Sequence, residues 1–80
     1  MYYDVVSSIY SKNVRIDSQM IKNGFSSLPA AERYIANNAV KIAKIKDSVN
    51  DYIQITNELI ITEIEEHDNN GMLVQIISFD

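Results

Sequence analysis

The sequence predicts an α+β fold of the order ββαββ, in which two β-hairpins form an antiparallel sheet packed on a long amphipathic helix. Val-, Ile- and Tyr-rich runs occupy both ends of the chain, and turn residues ("SKN" and "HDNNG") divide each end into two runs. Between the two ends, apolar residues recur at steps of three and four, which is the period of a helix. At this length we expect one small domain spanning residues 1–80.

The first predicted hairpin pairs residues 2–10 with residues 14–21. With Lys12-Asn13 as a two-residue turn, Ile9 faces Ile16 and Val5 faces Met20. The predicted apolar face then consists of Tyr3, Val5, Ile9, Ile16 and Met20. The opposite face is predicted to be solvated and consists of Asp4, Ser8, Arg15, Asp17 and Gln19.

A helix is predicted over residues 28–53. Ser27 is a natural N-cap, and Pro29 is tolerated in the first turn because the N–H it lacks would have no partner there. A helix of this length would span about 39 Å, whereas strands of eight residues span about 27 Å. We therefore predict that the helix is bent or broken at Asn37-Asn38. The alternative is a helix-mediated dimer along the heptad positions Leu28, Ile35, Ile42 and Val49.

The second hairpin is predicted from "LIITEIEE" and "MLVQIISF", which flank an Asn-Gly pair. With Asn70-Gly71 as a type I′ turn, Ile64 faces Ile77, and a three-residue loop would shift this register by one residue. The predicted core face consists of Ile60, Ile64, Leu73, Ile77 and Phe79. The solvent-side face combines acidic and apolar lines, formed by Glu63, Glu65, His67, Met72, Val74 and Ile76.

Charge is distributed unevenly along the chain. Residues 1–46 hold seven bases and three acids, whereas residues 47–80 hold eight acids and no base, for a net charge of −4. Such asymmetry indicates an interaction surface, head-to-tail pairing between chains, or neutralisation of the two halves within one fold. The last third of the chain is therefore the segment to explain.

Composition favours a cytoplasmic protein. The chain has no Cys, which fits a reducing compartment. Its first residues lack the basic n-region of a signal peptide, and no apolar run approaches 18 residues. Thirteen Ile against three Leu, with eight Asn, are typical of an AT-rich genome such as that of a low-GC bacterium or a phage.

The motifs of most enzyme classes are missing. There is no Cys nucleophile, a single His, and no phosphate-binding Gly-rich loop. Glu63, Glu65 and His67 alternate along one strand, but neighbours at this spacing lie about 6.7 Å apart, which is wide for one metal ion. The lysines around residue 44 have no interleaved aromatic residues, and the net charge is negative, which argues against nucleic-acid binding. We expect no enzyme activity, no cofactor and no metal.

The sequence favours a non-enzymatic acidic module that binds a protein through its C-terminal hairpin. Compact acidic proteins of this size are also encoded by phages and mobile elements as inhibitors of host proteins. Exposed apolar residues in a row on one strand, such as Met72, Val74 and Ile76, promote aggregation unless another surface packs on them. The neighbouring carboxylates of Glu63 and Glu65 would attract a basic partner to this surface. The predicted partner-binding residues are Glu63, Glu65, Glu66, His67, Met72, Val74 and Ile76. The alternative is a structural homodimer in which the basic half of one chain pairs with the acidic half of another.

Overall fold

The computed structural model describes the backbone of residues 1–53 and 58–79, and the side chains of residues 1–48 and 59–79. Its elements are β1 (Tyr2–Ser11), β2 (Val14–Phe25), α1 (Leu28–Asn37), α2 (Ala39–Ile53), β3 (Glu58–His67) and β4 (Leu73–Ser78). The strands form one antiparallel sheet in the order β2-β1-β3-β4, so the fold is α+β. No helix in the described part of the chain is long and apolar enough to cross a membrane.

The first hairpin has the predicted turn but not the predicted register. Lys12 and Asn13 adopt positive φ angles of 52° and 68°, as a two-residue type I′ turn requires. Register shifts along the β1–β2 ladder then bring Asp17, rather than Ile16, opposite Ile9. The predicted Ile9–Ile16 pairing is therefore wrong. These shifts are β-bulges or irregularities, and each changes which β2 residues lie opposite β1.

The shifts also remove two residues from the predicted apolar face. Met20 pairs with Val6 instead of Val5, and Val5 pairs with Lys22. Met20 and Ile16 are about half exposed, at 50% and 54%. The expectation that both belong to the core is therefore wrong.

The second hairpin has the predicted register but not the predicted turn. Gly71 is left-handed at φ +82°, but Asn70 is not, so Asn70-Gly71 is not a type I′ turn. The Gly71 N–H donates to the Asp68 carbonyl and the Asp68 N–H donates to the Met72 carbonyl, which closes a three-residue loop. A register shift at Glu66/His67 then compensates for the extra loop residue, so Ile64 faces Ile77 as predicted.

The helical segment is two short helices rather than one long helix, and the break lies at Asn38 as predicted. The Asn38 N–H donates to the Ile35 carbonyl, and its side-chain amide donates to the Tyr34 carbonyl at 2.8 Å. Its own carbonyl accepts from the Ile42 N–H, which opens α2. Asn38 therefore terminates one helix and starts the next. The Ser27 hydroxyl accepts from the Ala30 N–H, which confirms the predicted N-cap.

The core lies between the helices and one face of the sheet. Val5 and Ile64 are cross-strand neighbours in the two central strands, and both are fully buried. They pack under Ala31 and Ile35 of α1 and Ile42 of α2. Two members of the proposed dimer heptad, Ile35 and Ile42, are thus buried within the chain itself, and the side chain of Val49 lies outside the described residues.

Candidate functional site

The face of the sheet opposite the helices, called the open face below, carries a compact set of polar side chains. Directly paired residues of an antiparallel sheet point to the same side. Asp4 pairs with Glu65 and Val6 pairs with Glu63, one step out of phase with the buried Val5–Ile64 pair. The polar network on the open face comprises Asp4, Ser8, Tyr10, Arg15, Glu63, Glu65 and His67.

Arg15 holds the centre of the polar network. Its Nε and Nη2 donate to the Ser8 hydroxyl at 3.0 and 2.8 Å. Nη2 also lies 2.6 Å from Glu65 Oε2, and Nε lies 3.6 Å from Glu63 Oε1. The Glu63 side chain is only 4% exposed and that of Glu65 is 13% exposed. One guanidinium therefore serves two carboxylates that have little contact with water, where breaking an ion pair is costly.

His67 extends the polar network to the hairpin turn. Its Nε2 lies 3.1 Å from Glu65 Oε1 and 3.5 Å from Asp4 Oδ2, and its Nδ1 lies 3.3 Å from the Gly71 carbonyl oxygen. Both ring nitrogens thus lie close to oxygen atoms that can accept a hydrogen bond. The ring stacks on Tyr2 at 4.9 Å. A histidine in this position connects β1, β3 and the loop that joins β3 to β4.

Asp4, Glu65 and His67 offer one ligand atom each within 4.8 Å of one another, whereas the set considered from the sequence was Glu63, Glu65 and His67. Sequence reasoning missed Asp4 because it belongs to the first hairpin, and its place beside Glu65 depends on the long-range pairing of β1 with β3. Each of the three already has a partner. Asp4 Oδ1 accepts from the Gly24 N–H at 2.9 Å, and Glu65 is bound to Arg15. We therefore assign these groups a structural role.

Two tyrosines donate hydrogen bonds to buried carboxylates. The Tyr10 hydroxyl donates to Glu63 Oε2 at 2.6 Å on the open face. On the other face, the Tyr3 hydroxyl donates to Glu66 Oε2 at 2.7 Å, and the Gln75 amide donates to Oε1 of the same carboxylate. The hydrogen bond to the neighbouring glutamate, with burial and the carboxylate charge, raises the pKa of each phenol above 10.0.

These raised pKa values predict a loss of stability at high pH. Below about pH 10 both phenols are neutral in the folded and unfolded chain, so their stabilising effect is fully present. As the pH rises further, the unfolded chain ionises first and the free energy of unfolding falls through the folded-state pKa. Changing Tyr3 and Tyr10 together to Phe should make this alkaline fall shallower. Urea unfolding between about pH 8 and pH 11 measures the slope.

A matched control is Tyr2→Phe, which removes the hydroxyl of a ring that stacks on His67. It should leave the alkaline slope close to that of the unaltered chain. If the double variant loses stability with pH as steeply as the unaltered chain, the two Tyr–Glu hydrogen bonds do not set the alkaline limit.

The structure separates the predicted partner-binding residues into two groups. The acidic group is turned inward: Glu63 and Glu66 are buried, and Glu65 and His67 belong to the polar network. The apolar group is exposed, with fractional exposures of 68% for Met72, 48% for Val74 and 37% for Ile76. Within one hairpin, therefore, the charged side chains of β3 bond to other residues of the sheet, and the apolar side chains of β4 and its flank are exposed to water.

Exposed apolar side chains form a continuous run along β4 and its flanks, whereas those of β2 (Val14, Ile16 and Met20) are interspersed with charged residues. Besides Met72, Val74 and Ile76, both Leu73 and Phe79 are at least 39% exposed, so the prediction that these two belong to the core is wrong. Among the described strands, β4 lies at the edge of the sheet and has β3 as its only neighbour. An edge strand with exposed apolar side chains is a template for pairing with another chain.

Two cavities lie beside α2, away from the polar network. One of about 730 Å³ is lined by residues that include Gln19, Asn38, Lys41 and Lys44. The other, of about 290 Å³, lies between α2 and the sheet and reaches Thr62 and Phe79. Neither cavity is lined by a residue of the polar network, so the carboxylates of the open face are not placed in a cleft, where general acid–base catalysis would need them.

Comparisons with protein-family models, with curated proteins and with solved structures find no match for this chain.

Proposed function

We propose that this chain is a non-enzymatic protein-binding module that recognises an extended segment of its partner along β4. The observation that supports this most directly is the exposure of Met72, Leu73, Val74, Ile76 and Phe79 on and beside one edge strand. Adding a strand to such an edge satisfies its free N–H and C=O groups and covers its side chains. Main-chain hydrogen bonds then supply affinity, and alternate side chains supply specificity.

The backbone of β4 offers donors to such a partner. The Phe79 N–H donates to the Thr62 carbonyl, which fixes the phase of the β3–β4 ladder. Because N–H directions alternate along a strand, the N–H groups of Ile76 and Ser78 point away from β3. An incoming strand can accept both hydrogen bonds without disturbing the existing sheet.

The charges of the hairpin suggest what kind of segment binds. A basic partner was expected from the acidic sequence, but Glu63, Glu65 and Glu66 are engaged with Arg15, Tyr10 and Tyr3 inside the chain. We therefore propose that these carboxylates support the hairpin, and that the side chains meeting the partner are apolar. A β-branched, uncharged segment fits this edge best. A domain that occupies the sheet edge of its target in this way would act as an inhibitor.

A peptide selection tests the proposal without knowledge of the natural partner. Random peptides displayed on phage are selected on the purified chain, and the enriched peptides are measured against two variants. Val74→Lys places a charge on the proposed edge, whereas Val14→Lys makes the same change at a 61% exposed residue of β2. We expect β-branched peptides whose affinity falls at least about tenfold for Val74→Lys and is unchanged for Val14→Lys. Failure to enrich any peptide, or equal affinity for Val74→Lys, would contradict the proposal.

A further inference from the structure

The two edges of the sheet differ in how they are protected. β2, on one edge, carries Arg15, Asp17 and Lys22, and its pairing with β1 is interrupted by register shifts. Charges and bulges are the usual devices that keep an edge strand from pairing with another chain. The β4 edge, together with its flanks, reads "MLVQIISF" and contains no charged residue. Its one register shift lies at the turn end, at Glu66/His67.

We infer that the segment that occupies β4 is β4 of a second copy of this chain, paired antiparallel across a two-fold axis. The inference rests on the proposed function, because it uses the same edge. Two four-stranded sheets joined in this way form one continuous sheet of eight strands. A two-fold axis sets the same surface against itself, so the contact closes at two chains and does not propagate into a fibre.

The chemistry of β4 suits a copy of itself. Antiparallel pairing of identical strands sets donors opposite acceptors along the whole edge, including the outward N–H groups of Ile76 and Ser78. Like charges directly opposite each other across a sheet are destabilising, but residues 72–79 contain none. A partner strand of the same composition therefore places no like charges opposite each other along residues 72–79.

The surface available also agrees with a dimer. Covering Met72, Leu73, Val74, Ile76 and Phe79 in both copies buries on the order of 1,000 Å² in total, which is where specific interfaces begin. An interface of this size is expected to dissociate on dilution. Because it contains no ion pair between residues 72 and 79, and because salt screens the repulsion between two chains of net charge −4, salt should not weaken it.

The test measures the solution mass of the full chain by light scattering over a dilution series, at low and high salt. The unaltered chain and Val14→Lys should form a concentration-dependent dimer that does not weaken as salt is raised, whereas Val74→Lys should be at least tenfold weaker in self-association. A monomer at every concentration overturns the inference, and so does a dimer that Val74→Lys leaves intact. A dimer that weakens with salt also overturns it, since that is the behaviour of basic and acidic halves paired between chains.

A second measurement does not depend on the folding of Val74→Lys. The chain has no cysteine, so a single cysteine at Val74, Gln75 or Ile76 can crosslink only to its copy. A disulfide needs Cα atoms about 4.4–6.8 Å apart, so the position nearest the two-fold axis should oxidise to a covalent dimer. Val14→Cys, on the opposite edge, should stay monomeric. Equal crosslinking at both edges, or none along β4, overturns the inference.

The dimer and the proposed function can fail separately. A monomeric chain that still binds the selected peptides at β4 retains the proposed function and loses the self-pairing. If Val74→Lys disrupts the dimer but the peptide selection enriches nothing, the self-pairing is supported and the proposed binding of other proteins is not. A monomer that binds no peptide removes both.

Discussion

Replacing Arg15 with Met is expected to lower the free energy of unfolding by about 3 kcal/mol at neutral pH, the lower end of the cost of removing one partner from a buried ion pair. The Met side chain keeps the aliphatic bulk of Arg15 but leaves Glu63 and Glu65 facing each other without a cation. It also removes the two hydrogen bonds to the Ser8 hydroxyl. The Arg15 side chain is 21% exposed, so water screens part of the loss.

A loss of about 3 kcal/mol would be a large part of the total free energy of unfolding of this chain. A chain of this length is stable by roughly 4–12 kcal/mol. Equilibrium unfolding in urea, followed by circular dichroism, measures the change. The expected result is a lower midpoint with an unchanged denaturant slope, since the fold itself does not change.

Two variants distinguish a charge effect from a packing effect. Arg15→Lys keeps the charge and loses the fork that reaches Ser8 and both carboxylates, so its loss should be intermediate. Adding Glu65→Gln to Arg15→Met removes one of the uncompensated charges and should recover part of the stability. If Arg15→Met costs less than about 1 kcal/mol, the polar network behaves as a surface ion pair and does not hold the sheet.

The polar network also explains the charge asymmetry of the sequence in part. Arg15 comes from the basic half of the chain, and Glu63 and Glu65 come from the acidic half. Composition left open the explanation that the basic and acidic halves neutralise each other within one fold, and the contacts of Arg15 with Glu63 and Glu65 are an example of such neutralisation. Composition alone could not identify it, because the contact depends on β1 and β3 being neighbours.

Local chemistry predicted the elements well where the signal lies within a few residues. Three features were predicted from nearby residues. Lys12-Asn13 forms a turn with two left-handed positions, and the Ser27 hydroxyl caps the start of a helix. The break at Asn38 was predicted because one helix would have been too long for its sheet. The helix was nevertheless expected to be long, and the structure has two short helices. Asn38 ends α1 because its amide and backbone both bond back to the previous turn.

Strand register was predictable only where burial constrains it. Ile64 and Ile77 face each other even though the turn between their strands has three residues, because a bulge restores the pairing that places the apolar side chains together. In the first hairpin the bulges moved Ile16 and Met20 out of the predicted core. Neighbouring residues could not indicate this register, because β1 contributes buried residues to both faces of the sheet and its other partner, β3, lies 47–65 residues further along the chain (Ser11 to Glu58, Tyr2 to His67).

Ile64→Ala should have the largest effect on stability of the core substitutions. Ile64 has no exposed surface and contacts the neighbouring strands through its pairs with Val5 and Ile77. Removing the buried side-chain carbons costs the transfer energy of those atoms and leaves a cavity beneath both helices, and such changes cost about 2–5 kcal/mol. The upper half of that range is expected, because Val5 and the helices are held by other contacts and cannot collapse into the space. Thermal unfolding measures it as a drop in Tm of about 15–40 °C.

Ile76→Ala is the matched control for this prediction. Ile76 pairs with Glu65 on the open face, one residue out of phase with the Ile64–Ile77 pair, and is 37% exposed. The same atoms are removed, but 37% of the surface of Ile76 is already in water, so the free energy of unfolding should fall by only about 1–2 kcal/mol. A larger loss for Ile76→Ala than for Ile64→Ala would mean that the register is displaced by one residue and that the face assigned to the helices is the open one. Because a one-residue slip exchanges the two faces of a strand completely, this single comparison tests the core and the exposed edge together.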